Sequence, residues 1–524
     1  MKFYFRWALT LVMIGVVGAL VICTWSWLAG PNIDTMLTYH RNLIAHSFHG
    51  MFQILAGQDQ APLPQLLDYV LYLSGFSSVL ALQFASSTLI IAAVLWILAL
   101  DLKTNDQYQK IQVSWRPVVY ALSAIAMIVS PSFSVSLTWV RYAAIVGICW
   151  YAVWVLEEKI LTAADLQLRK YAIILGAMLG LGLLISYTWG VVIVASLLSL
   201  AWRRQLHRPG IRSSLLLGAI PGVVATFVFL IYAGSMHLSL ILLRSHAHSG
   251  LIKTIGEAWG LLIYPLVGSL LFPGVINTSI SIVSLAIIGY SVFLFLRIRR
   301  DYVVPFLCHV ILPVPFFILT AANSGYGMIG PGLILMSCAI KGALQLSIRR
   351  SILFVVLGMV TLTAGMLANL HGFNTVAPEM YANKSRAALD AVISRLSQEH
   401  ALNDQTLVVA CDESTLFLAE SSLPTSVRRR YSSDEKTSTA PNVEAMLRVG
   451  YRQDTLTPAI HRVVVIQCGS RTFYEDFQFF QKWLHNAGFT PSPFQQKIGT
   501  YSSWLQKATT TTAPAQYVIE EWSR

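Results

Sequence analysis

Long apolar runs recur through residues 1–370 of this 524-residue chain, and they constrain its fold more than any other feature. A bilayer core about 30 Å thick takes roughly 20 apolar residues per helical crossing. Lipid offers no partner to a backbone N–H or C=O, so such runs must close their hydrogen bonds internally, as helices. Runs near 7–28, 79–100, 117–130, 139–156, 171–187, 188–201, 214–233, 277–296, 303–321, 328–346 and 351–370 predict about 11 spans. The pairs 117–130/139–156 and 171–187/188–201 are short enough to be bent hairpins. Charged residues make up 12% of the chain, against about 25% in a soluble domain. That excludes a wholly soluble enzyme, a coiled coil and a disordered chain. The first run lacks a small-x-small cleavage site and reads as a retained helix.

The net charge of +12 does not point to nucleic acid, because of where it sits. Residues 371–524 hold 15 basic and 15 acidic side chains, so the excess lies in 1–370. There the basic residues cluster in alternate loops: Lys2 and Arg6; Lys103, Lys110 and Arg116; Lys159, Arg169 and Lys170; Arg203, Arg204, Arg208 and Arg212; Arg297, Arg299 and Arg300; Arg349 and Arg350. The positive-inside bias makes these loops cytoplasmic. The N-terminus is then inside and residues 371–524 lie outside.

The outer side of 1–370 keeps four acids: Asp34, Asp59, Asp68 and Glu257. The other six, Asp101, Asp106, Glu157, Glu158, Asp165 and Asp301, fall in predicted inside loops. Asp34 follows the first span. It suits a general base for a hydroxyl or amine acceptor, or a ligand of a divalent metal; spacing alone favours a solvated loop acid or a helix cap opening TMLTYHRNLIAHSF. His46 and His49 are spaced i, i+3, on one helix face. With Asp34 they could form a zinc-like set, while interfacial histidines lining a polar cavity, His40 among them, need no metal. No cofactor is certain from these residues; a divalent metal is admitted. Asp68 falls on the wet face of an interfacial helix in LPQLLDYVLYL. The segment 257–275, with Pro265 and Pro273, reads as re-entrant.

Residues 371–524 read as a small α/β domain: a helical pattern over 381–399, β-branched runs Thr406–Ala410 and Val463–Ile466, an amphipathic helix near 473–487, and a strand at Gln516–Ile519. Cys411 and Cys468, each after a predicted strand, are either bridged or free and buried. Cys23, Cys149, Cys308 and Cys338 sit in predicted spans as packing residues. Phosphate-cradling glycine loops, nucleophile elbows and metal-type cysteine spacings do not occur.

Three segments carry a family resemblance. GQDQAPLPQLLDYVLYLSGF, an acid before a Pro-Leu step and an amphipathic run, resembles the first outer loop of GT-C superfamily glycosyltransferases, nearest the dolichyl-phosphate-mannose-type and lipid A sugar transferase branch. Ser130, Pro131, Arg141 and Tyr142 resemble that family's Ser-Pro and Arg-x-Tyr-like turn. Ser186, Tyr187 and Thr188 resemble the break in its next Gly-rich span. The chain departs from the pattern at Asp34, flanked by Ile33 and Thr35 rather than a second acid, at Gln60-Ala61-Pro62, and at Gln83.

The resemblance implies a polytopic α-helical GT-C-like membrane domain over 1–370 and an outer, periplasmic α/β domain over 371–524. It implies transfer of a hexose or pentose from a polyprenyl-phosphate lipid to a glycan, lipid or protein acceptor in a bacterial inner membrane. The anionic leaving phosphate asks for guanidinium or ammonium groups, for which Arg141, Arg244 and Lys253 are the candidates. Asp34, or Asp59 as its rival, is the base, and His40, His46, Tyr142 and Tyr187 line the site. The partners implied are that lipid, the acceptor and the membrane; nucleic acid is not among them. The alternatives are a transporter or flippase of lipid-linked sugars, and a non-catalytic scaffold.

Overall fold

The computed structural model describes residues 38–39, 41–42, 45, 47–56, 61–77, 79–113, 115–129, 141–247, 275–315, 329–346, 353, 356–358, 405–410, 460–468, 484–500 and 515–524. Two compact units divide the chain: Met1–Ile22, Gln58–Ser77 and Ala81–Leu370 form one, and Cys23–Gly57, Ser78–Leu80 and His371–Arg524 the other. The expected spans at 7–28 and, apart from a few residues, 351–370 lie outside the described residues, as does the re-entrant stretch 257–275.

The first unit is a helical bundle. Its helices are α2 (Pro62–Leu73), α3 (Val79–Lys103), α4 (Asp106–Lys110), α5 (Arg116–Val129), α6 (Arg141–Thr162), α7 (Asp165–Ile185), α8 (Gly190–Trp202), α9 (Ile211–Ala247), α10 (Val275–Ile298), α11 (Val303–Phe306) and α12 (Ile329–Ala343). A helix α1 (Phe48–Ala56) belongs to the second unit. Among the described residues, Ala81–Lys103, Gln167–Ile185 and Ile211–Gly234 are long and apolar enough to cross a membrane. At 1.5 Å per residue, the 23 residues of the first span about 35 Å, enough for a bilayer core. Shorter apolar helices, such as Tyr187–Trp202 and Ile329–Ala343, accompany them. The bundle turns apolar side chains outward as well as inward: Trp96, Leu216, Phe227, Ile231 and Phe293 are all exposed. A soluble bundle shows a polar outer face instead. This is an integral helical membrane protein.

Glycines set how closely two of these helices approach. Gly176 and Gly180 lie one turn apart on α7, and Gly218 and Gly222 one turn apart on α9. A Cβ at Gly176 would collide with the carbonyl of Leu215, at Gly180 with that of Ala219, and at Gly218 with that of Ile173. Small residues spaced by four let backbones meet, which is how helices gain packing where lipid already solvates their side chains. Gly180→Leu is expected to force α7 and α9 apart and to destabilise the bundle by at least the 1–3 kcal/mol typical of overpacking, about the same for Gly218→Leu. Thermal unfolding of the purified protein in detergent measures it; a melting point matching the unsubstituted chain would refute this packing.

Breaks in the helices fall at identifiable residues. Helix α7 stops at Ile185 because Ser186 is extended (φ −159, ψ 136). The Ser186 hydroxyl accepts from the Thr188 amide at 3.3 Å and lies 2.7 Å from the Thr188 hydroxyl. A 3₁₀ turn over Tyr187–Trp189 then leads into α8. The sequence placed its break at these same residues. Helix α9 is interrupted at Gly234, whose φ of 73° is left-handed and favours glycine. The expected 303–321 span starts as α11 and passes into a π-helical turn, Leu307–Ile311.

In the second unit a four-stranded sheet has the order β1-β2-β4-β3, with β1 (Thr406–Ala410), β2 (Arg462–Cys468), β3 (Thr490–Thr500) and β4 (Ala515–Ser523). Strands β1 and β2 are parallel, and β4 is antiparallel to both β2 and β3. Val463, Val464, Leu484, Phe489 and Trp522 are buried as its core. Strand β3, which contains Pro491 and Pro493, was not expected. It sits at the sheet edge with an irregularity between Pro491 and Gln495, and an edge tolerates proline. Most of the 473–487 helix, the 381–399 helix and Cys411 lie outside the described residues.

Candidate functional site

Charged residues gather at one end of the bundle, on helix termini that the sequence gives no reason to bring together. Lys341, in the last turn of α12, donates to Asp101 Oδ1 at 2.5 Å and to both oxygens of Glu158 at 2.9 Å. Asp101 also accepts from the Tyr151 hydroxyl at 2.7 Å and from Ser337. Glu158 accepts from Thr104 at 3.0 Å. The lysine and both carboxylates are at most 3% exposed. Buried charges survive when paired and fully hydrogen-bonded, and here each carboxylate is.

Glu157 precedes Glu158 by one residue, about 100° around the helix, and so reaches different partners. Ser199 of α8 donates to its Oε2 at 2.5 Å, and His309 lies 3.0 Å from its Oε1. The Trp150 indole, which can only donate, gives its N–H to His309 Nδ1 at 3.0 Å. The imidazole is therefore the Nε2–H tautomer, and that proton is the one shared with Glu157. His309 lies in the π-helical turn, where one extra residue per turn re-aims the side chain.

These contacts correct the sequence reading, which left Asp101, Glu157 and Glu158 in inside loops. Helices α3 and α6 run on past the predicted span ends at 100 and 156, to Lys103 and Thr162, carrying the acids into the bundle. Lys341 inside an apolar run was the available signal, since a lysine there demands a carboxylate partner.

The C-termini of α3, α6 and α12 thus meet at one end. Only two residues join α6 to α7, so Arg141 and Tyr142, which open α6, and the Ser186–Thr188 break, which ends α7, lie toward the other end. Helix α2 packs on α6 and α7. Its first turn contains Pro62 and Pro64, the preferred place for proline. Its outward face is apolar, with Leu67, Val70 and Leu73 about half exposed at 46%, 47% and 53%, whereas Asp68 is 5% exposed. This contradicts the wet-face expectation for Asp68: the helix exposes an apolar face and turns its acid inward, with Gln65 and Tyr69.

Of the other candidates, Tyr187 is half-buried in the 3₁₀ turn and Arg244 falls in the last turns of α9, past Gly234. Asp34, Asp59, His40, His46 and Lys253 lie outside the described residues. His49 is described: its Nε2 is 3.1 Å from Gln53 Nε2. Among the described residues no three potential ligands gather for a metal.

No family model matches the sequence, and no curated protein matches it. Solved structures do. The chain superposes on ArnT from Cupriavidus metallidurans, in the apo state and bound to undecaprenyl phosphate, with TM-score 0.55 over 97% of both chains at 12% identity. It also superposes on the arabinofuranosyltransferase AftD from Mycobacteria, with TM-score 0.53 and 12% identity, over 99% of this chain and 40% of that one. The chain thus shares its fold with ArnT and AftD, two membrane proteins of the kind the resemblance pointed to.

Proposed function

We propose that the protein transfers a sugar from a polyprenyl-phosphate-linked donor to a glycan, lipid or protein acceptor at the outer face of a bacterial inner membrane. The observation that carries this reading is the superposition, nearly end to end, on ArnT, one of whose structures holds undecaprenyl phosphate. The polar groups near the α6 start and the α7–α8 break support a site at the end away from the buried ion cluster.

In the proposed reaction Asp34, with Asp59 as its rival, takes the proton of an acceptor hydroxyl or amine. The acceptor atom bonds to the anomeric carbon from the face opposite the phosphate. The carbon–oxygen bond to phosphate breaks and polyprenyl phosphate departs with that electron pair, so the sugar centre inverts. Arg141, Arg244 and Lys253 hold the phosphate, whose charge grows as the bond breaks. His40, His46, Tyr142 and Tyr187 line the acceptor side. The test is single-turnover incubation of the purified protein with polyprenyl-phosphate pentose and hexose donors in liposomes, with a cell-envelope glycan and lipid extract supplied as acceptor. Release of polyprenyl phosphate with one donor class supports the reading. Movement of intact donor between leaflets without release favours the alternative, a flippase.

Residues 371–524 are proposed to be periplasmic and the N-terminus cytoplasmic. Ser432→Cys is expected to react with an impermeant maleimide in spheroplasts before lysis. Reaction only after lysis would invert the topology and move every outer-face assignment to the wrong side.

A further inference from the structure

Arg203 directly follows α8 and Arg299 directly follows α10. Both guanidinium carbons lie 4.6 Å from the ring centroid of Tyr302. The ring is buried and fixed by Phe295 at 5.1 Å and Trp154 at 6.0 Å. Two cations are thus brought to one small area. Arg299 has an acid, Asp301, at 3.2 and 3.3 Å. Arg203 does not: its Nε and Nη2 are buried and bond to nothing among the described residues. The neighbouring carboxylates are occupied, Glu157 by Ser199 and His309, Glu158 by Lys341 and Thr104.

A guanidinium with unmet donors is a fork shaped for an oxyanion, and phosphate fits it best. The residues beside the two arginines say which kind of phosphate. Trp202 is 65% and Ile298 55% exposed, and each directly precedes one of the arginines, giving both an apolar neighbour at the surface. The ligand combines a phosphate with a hydrocarbon tail. We propose that Arg203 and Arg299, with Tyr302 between them, bind the phosphate headgroup of an anionic membrane lipid at the end of the bundle that collects the basic loops. Basic recesses between helix ends are where such headgroups lodge. The site lies with the buried ion cluster, away from the proposed transfer site, and does not depend on that reading. Its lipid is either a phosphodiester phospholipid or the monoester of a polyprenol.

The test uses the full chain in neutral detergent, by native mass spectrometry and by thermal unfolding. Dioleoylphosphatidylglycerol and undecaprenyl phosphate are compared with dioleoylphosphatidylcholine and with inorganic phosphate. One or both anionic lipids are expected to stay bound and raise the melting point, and the stronger of them identifies the source. Arg299→Gln and Arg203→Lys should each weaken retention about tenfold, the loss of a bond to a charged group. Arg203→Lys keeps the positive charge beside Glu158, so its melting point without lipid should match the parent chain. Equal retention of phosphatidylcholine would overturn the proposal. So would stabilisation by inorganic phosphate alone, or variants that hold anionic lipid as the parent does; Arg203 would then be a counter-charge to Glu158 and nothing more.

Discussion

Lys341→Met is expected to destabilise the bundle by about 3–5 kcal/mol, the cost of stripping the partner from a buried charge. The reason is local. Asp101 and Glu158 are both buried, and Lys341 bonds to both. Without it, two carboxylates face each other across the gap with only the hydroxyls of Tyr151, Ser337 and Thr104 as donors. Methionine fills most of the lysine volume, so the loss is electrostatic rather than a cavity. The triple change Lys341→Met, Asp101→Asn, Glu158→Gln removes the charges together and should recover most of the stability, since a buried ion pair is often no better than an uncharged set of the same size. Unfolding of the purified chain by heat or denaturant in detergent reads both variants. A single variant within about 1 kcal/mol of the parent would mean that Lys341 is not the counter-charge. Failure of the triple variant to exceed the single one would mean that geometry, not charge, holds α3, α6 and α12 together.

That cluster also marks where sequence reading stops. Helices in lipid are legible because the bilayer imposes their length and composition: α3, α5, α6, α7 and α8 fall where the apolar runs predicted them. The Ser186–Thr188 break was legible through the resemblance, which placed it between the runs 171–187 and 188–201. Asp101, Glu157 and Glu158 were not, since a charged residue at the end of a run looks like the first loop residue. Whether it is wet depends on partners more than 40 residues away: 240 residues separate Asp101 from Lys341 and 152 separate Glu157 from His309. Asp68 was misread by carrying over the rule for water, in which the polar side of a helix faces out. In the sheet, the valine runs of β1 and β2 announced themselves, while β3 was hidden by prolines that only its edge position permits. The proposed catalytic residues rest on the resemblance and on residue chemistry, and the transfer assay is where they are tried.

Asp34→Asn is expected to slow sugar transfer by about 10²–10⁴, the usual contribution of a positioned general base. Asparagine keeps the size and a hydrogen-bonding oxygen but cannot take a proton, so donor binding and folding should persist while turnover falls. Asp59→Asn is the paired experiment, because Asp59 is the acid nearest the Pro62-Leu63 step that opens α2. Asp68→Asn cannot serve as the inert control that a solvated acid would provide. Its carboxyl is buried on the inner face of α2, so its variant must be compared at equal folded fraction. The three together separate the roles. Loss at Asp34 alone, with donor still bound, makes it the base. Loss at Asp59 alone transfers the role there. Loss at Asp68 with lowered thermal stability reports a packing defect, whereas loss with unchanged stability brings the α2 inner face into the reaction. Normal transfer in both Asp34→Asn and Asp59→Asn would end carboxylate catalysis on this loop.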